Sequence, residues 1–463
     1  MFSVAKSRLL ALCESGAKAS RLVMTGVRPS SSRSADTRRD ATHQRDQDAF
    51  VELGRDTKLE HQVRADGAQP PKAAETAHND DPALSLGVLA TSRKPDERRL
   101  PIHPDHFARI DPSIRSRIFV EHGYGAHFGA TDDGLAGLVR GIRTREELIA
   151  DCDVILLPKV EAEDAAEFRE GQIVWGWPHL VQNPDITQAA IDRRLTMIAF
   201  ESMNHWNADG SFALHVFHKN NELAGYCSIL HALSLIGVTG SYGRRLTAAV
   251  IGFGATARGA VTALNAHGVD EVRVLTNRDV AAVAAPIPST QIIQMGHDDD
   301  APPEKTWVDT PDDGVIPVAQ LLADHDIAVN CALQSPSNPL IFATDDDLDD
   351  FASGSLIVDV SCDAGMGFSW AEPTSFADPL RLLRNGIHYY AVDHSPSYLF
   401  NSATWEISEA LLPHLETVLG GPAAWEDSAT VQRAVEMRDG IVLNDEILSF
   451  QHRSDTYPHT RES

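Results

Sequence analysis

Four segments of this sequence each bring an ionisable side chain to the end of an apolar run or into a sharp turn. In α/β proteins, ligands gather in the cleft at the carboxyl ends of strands. Two segments supply cations that could bind an anion, the third a histidine that could transfer protons near neutral pH, and the fourth an aspartate. They are Arg93-Lys-Pro-Asp-Glu-Arg-Arg-Leu-Pro-Ile-His103, Asp153-Val-Ile-Leu-Leu-Pro-Lys159, Ile173-Val-Trp-Gly-Trp-Pro-His-Leu180 and Ile357-Val-Asp-Val-Ser-Cys-Asp363-Ala-Gly365.

A fifth segment, Ala248-Ala-Val-Ile-Gly-Phe-Gly-Ala-Thr-Ala-Arg-Gly259, has the pattern of a dinucleotide-binding turn. Apolar residues typical of a strand run into two glycines, and a helical pattern comes next. Gly252 permits the tight turn, Gly254 allows the backbone to approach a pyrophosphate, and Ala257 lets the helix pack closely on the strand. The positive end of the helix would then face the phosphates.

The end of the next predicted strand favours NADPH over NADH. NAD-dependent enzymes usually carry an acidic residue there, which accepts hydrogen bonds from the ribose 2′-hydroxyl. This sequence has Thr276, Asn277 and Arg278 at that position, 24 residues after Gly252. An arginine could pair with a 2′-phosphate through two hydrogen bonds. The alternative is that Arg278 is an ordinary exposed arginine.

Short apolar runs separated by helical stretches such as Arg145–Asp151 predict an α/β fold with two Rossmann-like parallel sheets around a cleft. A predicted helix over Asn221–Ile236 connects the sheets, and the acidic run Asp345–Asp350 is typical of a solvated helix start. Helical patterning returns over Ala403–Leu419, with no new sheet after Val392. The predicted strands are Leu84–Ala90, Arg117–Val120, Val154–Leu157, Ile173–Trp177 and Leu195–Phe200 in the first sheet, and Ala248–Gly252, Glu271–Thr276, Ile327–Ala332, Ser355–Val360 and His388–Val392 in the second.

The predicted domains are derived from this pattern. Residues 1–82 lack a sustained strand pattern and are predicted to be a disordered tail, interpreted as a dispensable extension, with an organellar transit peptide as the alternative. Residues 83–220 and 398–463 are predicted to form one discontinuous catalytic domain. Residues 221–397 are predicted to form the dinucleotide-binding domain between its two parts.

Composition excludes some classes of partner. The formal net charge of −26 disfavours nucleic acids and anionic membranes. The five cysteines are scattered without a CxxC pair, as expected for a reducing, cytoplasmic compartment. His215 and His218 with Glu222 have the residue types of a metal site, but histidines three residues apart in an aromatic stretch more often serve packing. We expect the protein to bind small-molecule substrates and to form a homo-oligomer, and we expect no metal.

The four segments that carry ionisable residues resemble the alanine dehydrogenase and pyridine nucleotide transhydrogenase superfamily, and the resemblance spans roughly Leu84 to Arg453. Three further stretches resemble the N5-(carboxyethyl)ornithine synthase branch more than alanine dehydrogenase. One departure is Asn220-Asn221, where alanine dehydrogenases have a Met-Ser pair. The three stretches are Trp175-Gly-Trp-Pro-His-Leu-Val-Gln-Asn-Pro-Asp-Ile-Thr187, Phe217-His-Lys-Asn-Asn-Glu-Leu-Ala-Gly225 and His388-Tyr-Tyr-Ala-Val-Asp-His-Ser-Pro-Ser397.

The resemblance implies a role for each of the four ionisable groups. Arg99 matches the arginine that holds the keto-acid carboxylate, and Lys159 matches the substrate-binding lysine. His179 matches the acid/base histidine, and Asp363 the aspartate beside the nicotinamide. Singly, each group could be structural: a surface arginine, a strand-terminating lysine, a core histidine or a turn-forming aspartate. Their joint occurrence in this order favours the catalytic interpretation.

The sequence therefore predicts an NADPH-dependent enzyme that condenses pyruvate with the side-chain amine of ornithine or lysine and reduces the imine. The α-ammonium and α-carboxylate of such an amine need partners, for which Glu222, Asp393 and His394 are candidates. One alternative is alanine dehydrogenase, with ammonia and NADH. Another, from a different class, is a non-catalytic NADP-binding sensor, which the four retained ionisable groups disfavour.

Overall fold

A computed structural model describes residues 83–278, 290–298, 300–334 and 338–461 of the 463-residue chain. The tail predicted over residues 1–82 lies outside the described residues. Within the described part, no helix combines the length and apolarity that crossing a membrane requires.

The strands of the described residues are numbered here in chain order. They are β1 (Leu86–Val88), β2 (Ile118–Glu121), β3 (Gly141–Arg143), β4 (Val154–Lys159), β5 (Ile173–Trp177), β6 (Thr196–Ala199), β7 (Asn204–Trp206), β8 (Phe212–His215), β9 (Thr247–Ile251), β10 (Glu271–Thr276), β11 (Thr290–His297), β12 (Thr306–Thr310), β13 (Gly314–Pro317), β14 (Ile327–Asn330), β15 (Ile341–Ala343), β16 (Leu356–Asp359), β17 (Gly367–Phe368), β18 (Leu380–Leu382), β19 (His388–Tyr390), β20 (Val435–Arg438) and β21 (Ile441–Val442).

The α-helices are supplemented by short 3₁₀ turns, among them Pro104–Arg109, Phe200–Ser202, Asp345–Asp349 and Ser395–Leu399. The α-helices are α1 (Pro112–Arg115), α2 (Asp132–Ala136), α3 (Arg145–Asp151), α4 (Ala162–Glu167), α5 (Pro184–Asp192), α6 (His218–Ile236), α7 (Ala255–Ala266), α8 (Val318–Ala323), α9 (Phe400–Leu411), α10 (Leu415–Leu419), α11 (Pro422–Glu426), α12 (Ala429–Gln432) and α13 (Asp445–Phe450).

Two large sheets carry the fold, and both have the doubly wound strand order. The first runs β21-β20-β6-β5-β4-β1-β2-β3, and the second runs β13-β12-β11-β10-β9-β14-β16-β19-β18. In each, six central strands are parallel, and the order reverses beside the first strand of the set, at β1/β4 and at β9/β14. This confirms the predicted α/β fold of two Rossmann-like units, and such reversal points are where ligands bind.

The predicted parallel strands form because short apolar runs are buried by helices on both faces of each sheet. Val154 to Leu157 in β4 and Ala248 to Ile251 in β9, for example, are fully buried. The helical prediction over Arg145–Asp151 matches α3, and a reciprocal capping box between Thr144 and Glu147 starts that helix. The acidic run that begins at Asp345 is likewise capped by Thr344, but it forms a 3₁₀ turn.

The predicted connecting helix is α6, and its backbone is in direct contact with the backbone of α7. A Cβ atom on Gly225 would lie 1.9 Å from the carbonyl oxygen of Thr256, and one on Gly259 would lie 1.7 Å from that of Glu222. The two glycines therefore let the backbones touch where the helices cross. This contact fixes α7, whose first residue is Ala255, against the helix that joins the two sheets.

The chain returns to the first sheet at its C-terminal end. Strand β20 pairs antiparallel with β6, and β21 pairs with β20. Ile407 and Leu411 of α9 share a buried core with Leu86 of β1. The first unit is therefore discontinuous, as predicted. The sequence pattern missed β20 and β21, and they extend the existing sheet rather than form a new one.

Candidate functional site

The ionisable residues predicted from sequence lie just after strands of both sheets. The loop after β1 carries Arg99, β4 ends at Lys159, and His179 comes after β5. Asp363 comes after β16 in the second sheet, and Asp393 after β19. The Lys94–Asp393 ion pair, at 2.7 Å, joins the loops after β1 and β19, and the charge of Lys159 acts to lower the pKa of His179, Asp363 and Asp393, so these groups lie in one cleft at the carboxyl ends of the sheets.

Arg99 is buried, with 6% of its surface exposed, and it is held on three sides. Its Nε donates to Glu97 Oε1 at 2.8 Å, its Nη2 donates to Glu97 Oε2 at 2.5 Å, and its Nη1 donates to Asn220 Oδ1 at 3.3 Å. The guanidinium also lies 5.2 Å from the ring centre of Trp177. Despite burial, Arg99 and the hydroxyl of Ser397 lower the pKa of Glu97 to about 2, so this carboxylate is ionised.

The ammonium of Lys159 makes no ion pair or hydrogen bond with any described residue, whereas its backbone carbonyl accepts from Ser92 Oγ at 2.7 Å. Asp363 lies in the same cleft, where burial raises the pKa of its carboxyl and Lys159 opposes that rise. The residue before it, Cys362, has a φ of +42°, a left-handed conformation that is rare for a residue with a side chain. The backbone therefore turns sharply just before Asp363.

His179 also adopts a left-handed backbone conformation, with a φ of +46°. Its backbone N–H donates to Glu201 Oε1 at 2.7 Å, and its Nδ1 lies 3.9 Å from the same oxygen. Burial and then Lys159 lower the pKa of the imidazole well below its ordinary value. In the free enzyme His179 is therefore neutral at pH 7. Strained backbone at two strand ends of one cleft is typical of a functional site.

Glu201 belongs to a buried pair of carboxyl groups. Burial and then the charge of Glu436 raise the pKa of Glu201, and burial raises that of Glu436 as well. Glu436 accepts a hydrogen bond from Ser202 Oγ at 2.5 Å, while Oε2 of each carboxyl is buried without a partner among the described residues. At neutral pH the pair holds a proton, because two adjacent buried carboxylates repel each other.

The glycine turn has the geometry that a dinucleotide requires. Gly252 has a φ of +102°, and an added Cβ would lie 2.9 Å from the Cys331 carbonyl oxygen. Gly254 caps α7, and an added Cβ there would meet nothing within 4 Å. Ala257 is buried against the sheet. The open space at Gly254, beside the free N–H groups of a 12-residue helix, fits a pyrophosphate.

The three residues predicted to contact the adenosine ribose lie at and just after the end of β10. Thr276 is buried, and its hydroxyl accepts a hydrogen bond from the backbone N–H of Arg278 at 3.1 Å. The Asn277 carbonyl oxygen accepts from Gln294 Nε2 at 3.4 Å. Asn277 and Arg278 are exposed, and the next residues, 279–289, lie outside the described part of the chain.

The three residues predicted to bind the amine substrate are placed differently. Asp393 and His394 lie in the cleft, where His394 Nδ1 is 2.7 Å from Asp393 Oδ1. Glu222 instead pairs with Lys219 on the same helix, at 2.7 Å. His215, whose residue type and spacing to Glu222 could suit a metal, has both ring nitrogens bonded to backbone groups. Within the described residues, no group of three or more His, Cys, Asp or Glu side chains could hold a metal ion.

Sequence reasoning missed four charged residues of this cleft. Glu97 neutralises Arg99, Glu201 supports the turn at His179, and Lys94 forms an ion pair with Asp393. Glu161, just after β4, lies 3.8 Å from Lys94. Glu97 and Lys94 stand in the charged segment Arg93–His103, and Glu201 is an acid directly after a buried strand. Those positions were the available signal.

Comparison with known proteins adds to this geometry. The profile described as "Alanine dehydrogenase/PNT, N-terminal domain" matches residues 87–220, and that of the corresponding C-terminal domain matches residues 247–445. An N(5)-(carboxyethyl)ornithine synthase of Clostridium botulinum is 24% identical over 342 residues, covering 72% of this chain and 94% of that protein. An alanine dehydrogenase of Methanococcus maripaludis is also 24% identical, covering 69% and 84%.

Solved structures show the same architecture. An L-alanine dehydrogenase superposes with a TM-score of 0.62 at 16% identity, covering 79% of this chain and 99% of that one. A transhydrogenase from Sinorhizobium meliloti superposes with a TM-score of 0.57 at 19% identity, covering 77% and 98%. At such identities the likeness concerns the fold.

Proposed function

Because this chain belongs to the alanine dehydrogenase/PNT family and is an oxidoreductase, we propose that it condenses pyruvate with the side-chain amine of ornithine or lysine, using NADPH. The observation that carries the proposal is the meeting of Arg99, Lys159, His179 and Asp363 at the carboxyl ends of both sheets, beside a glycine turn. The reaction joins the amine nitrogen to the keto carbon, releases water, and reduces the resulting C=N bond with a hydride and a proton.

Lys159 is the principal group for the keto-acid carboxylate. Its ammonium is free of partners among the described residues, whereas most donors of Arg99 already serve Glu97 and Asn220. Arg99 would add a second cation at a fixed position, because Glu97 and Trp177 hold its guanidinium in place. Two cations, one of them held in a fixed position, would bind and orient the carboxylate of a small 2-keto acid.

His179 would act as the general base and then as the general acid of the condensation. Its imidazole is neutral in the free enzyme, and can therefore take a proton from the attacking ammonium. A substrate carboxylate bound beside Lys159 would offset the cationic charge that lowers the pKa of His179. The imidazolium formed in this way could then protonate the leaving hydroxyl, so substrate binding itself would prepare the histidine to act as an acid.

The dinucleotide would be held by the turn at Gly252 and Gly254, with Thr276, Asn277 and Arg278 at its ribose. When bound in reduced form, it supplies the hydride for the C=N carbon. Arg278 is exposed, and none of the described residues at this strand end, Thr276 to Arg278, is acidic, which supports NADPH over NADH. Asp363, which comes after β16 of the same sheet, would line the nicotinamide side of the cleft.

Alanine dehydrogenase activity is the second candidate. The relative of that name from Methanococcus maripaludis is as similar in sequence as the carboxyethylornithine synthase, at 24% identity for both. Pyruvate and the same four side chains would serve either reaction. The two differ in the amine and in the dinucleotide.

An assay of NADPH and NADH oxidation separates the two. The full-length protein is mixed with pyruvate and with ornithine, lysine or ammonium, and the loss of reduced dinucleotide is monitored by absorbance. We expect the highest kcat/KM with NADPH and ornithine or lysine. Turnover with ammonium and NADH that equals turnover with ornithine and NADPH would overturn the proposal in favour of alanine dehydrogenase.

A further inference from the structure

A cavity of about 450 Å³ opens beside the reaction centre. Its walls come from both sheets, since Lys94 lies after β1, whereas Glu372, Arg381, Asp393 and His394 belong to the second. Lys94 Nζ also lies 3.8 Å from Oε1 of Glu161, which follows Lys159 closely in the chain. The cavity therefore adjoins the site at which the new C–N bond would form.

One pair of opposite charges in this cavity is available to a ligand. Arg381 is engaged by Glu372 at 2.6 Å and lies over the ring of Tyr389. Lys94 Nζ, by contrast, donates to Asp393 Oδ2 at 2.7 Å and has Glu161 Oε1 only at 3.8 Å. An ammonium has three N–H donors and a carboxylate has several lone pairs, so both members retain hydrogen-bonding capacity. Their side chains are partly accessible, with 21% and 22% exposed.

One polar atom at the cavity, a ring nitrogen of His394, lacks a hydrogen-bond partner within the described part of the chain. His394 is 3% exposed, and its Nε2 has no hydrogen-bond partner among the described residues. Its Nδ1 lies 2.7 Å from Asp393 Oδ1, and its buried Nε2 is left to a ligand. A buried polar atom without a hydrogen-bond partner costs free energy unless a ligand supplies one.

On the proposed function as its premise, we infer that this cavity binds the α-amino acid end of the amine substrate. Lys94 would bind the α-carboxylate, and Asp393, supported by His394, would bind the α-ammonium. A ligand with one charge would compensate only one member of the pair, whereas a zwitterion compensates both and leaves the net charge unchanged. Ammonia has no such second end, so the cavity is specific to condensation with an amino acid.

The substrates themselves provide the first test on the full-length enzyme. Putrescine is ornithine without the carboxylate, and 5-aminopentanoate is ornithine without the α-ammonium. With pyruvate and NADPH, we expect kcat/KM to fall about 10- to 100-fold for each, because each loses a charge-assisted contact. Equal kcat/KM for ornithine and both analogues would overturn the inference and leave the proposed function intact. If only ammonium is turned over, the proposed function itself fails.

Two variants assign the contacts. Lys94→Met should lower kcat/KM for ornithine about 10- to 100-fold and barely affect putrescine, whereas Asp393→Asn should affect putrescine and spare 5-aminopentanoate. The losses should fall mainly on KM. Asp270→Asn, in an exposed ion pair with Arg245, is the matched control. Uniform losses for all three amines would overturn the assignment, and Lys94→Gln, which also removes the charge, offers the same comparison if Lys94→Met does not fold.

Discussion

The two sheets share one strand order but differ in the loop that leaves their first strand. After β1 the chain forms a charged loop that carries Lys94, Glu97 and Arg99 before a 3₁₀ turn begins at Pro104. After β9 it turns at once through Gly252, and α7 begins at Ala255. The first loop presents side-chain charges, whereas the second presents backbone N–H groups and empty space. The loop after the first strand, rather than the sheet, therefore determines which ligand each unit is built for.

The largest expected effect tests the first unit. Replacing His179 with alanine should lower kcat by about 10²- to 10⁴-fold, because proton transfer by a positioned histidine contributes that much. Binding of NADPH, measured by fluorescence titration, should not change. His414→Ala is the matched control, since burial also lowers the pKa of this histidine, to about 4, and it is not one of the cleft residues. An unchanged kcat in His179→Ala would remove the catalytic assignment.

The charged loop of the first unit should also be more sensitive to charge loss than the glycine turn is. Glu97→Gln leaves buried Arg99 without its partner and should cost about 3 kcal/mol in the free energy of unfolding at pH 7. The pKa of Glu97 is lowered to about 2 from an ordinary 4.5, so the stabilisation is present above pH 4.5 and is lost as pH falls toward 2.

The difference between wild type and Glu97→Gln should accordingly shrink in urea unfolding curves recorded from pH 5 down to pH 3. A difference independent of pH over that range would contradict the assigned ion pair.

The glycine turn should be sensitive to shape instead. Gly252→Ala places a Cβ against the Cys331 carbonyl in a left-handed backbone and should cost about 1–3 kcal/mol of stability. Gly254→Ala meets open space, so its cost should stay below about 1 kcal/mol. Both variants should weaken NADPH binding by about tenfold or more, since the phosphates need that space. Calorimetry of unfolding measures the loss of stability, and NADPH titration measures the loss of affinity. An unchanged NADPH affinity in Gly254→Ala would exclude Gly254 from the phosphate site.

The smallest expected effect concerns the choice of dinucleotide in the second unit. Arg278→Ala should lower the ratio of kcat/KM for NADPH over NADH by about 10- to 100-fold, through loss of a charge-assisted contact to the 2′-phosphate. Arg244→Ala, at an exposed arginine paired with Asp326, is the control and should leave the ratio unchanged. The same ratio in both variants would make Arg278 an ordinary exposed arginine.

The sequence predicted five of the six parallel strands in each sheet, because short apolar runs between helices leave a clear periodic signal. It missed β3 and β11, the outermost parallel strands, and the antiparallel strands β12 and β13 that follow β11 in the second sheet. It also missed β20, whose apolar residues are interrupted by Glu436. Strand β20 owes its pairing to β6, which is distant in the chain, and a local pattern does not report such a pairing.

The same distinction applies to the site. Lys159, His179 and Asp363 were predicted because each stands at or just after the end of a strand. The Lys94–Asp393 pair joins residues 299 positions apart, and the Ser202–Glu436 contact joins residues 234 apart. Such pairs arise only once both sheets are assembled. The sequence thus indicated which groups are present, and the three-dimensional structure was needed to show which of them neutralise one another.

The return of β20 to the first sheet has a consequence for the order of folding during synthesis. All strands of the second sheet, through β19 at residues 388–390, leave the ribosome before β20 at residues 435–438. We therefore expect the unit encoded later to finish folding first, whereas domains usually complete in chain order. Until β20 is synthesised, β6 would remain an unpaired edge strand of the first sheet. In ribosome-bound chains that end at residue 430, and so lack β20, residues 247–392 should resist limited proteolysis while residues 83–206 are still cleaved.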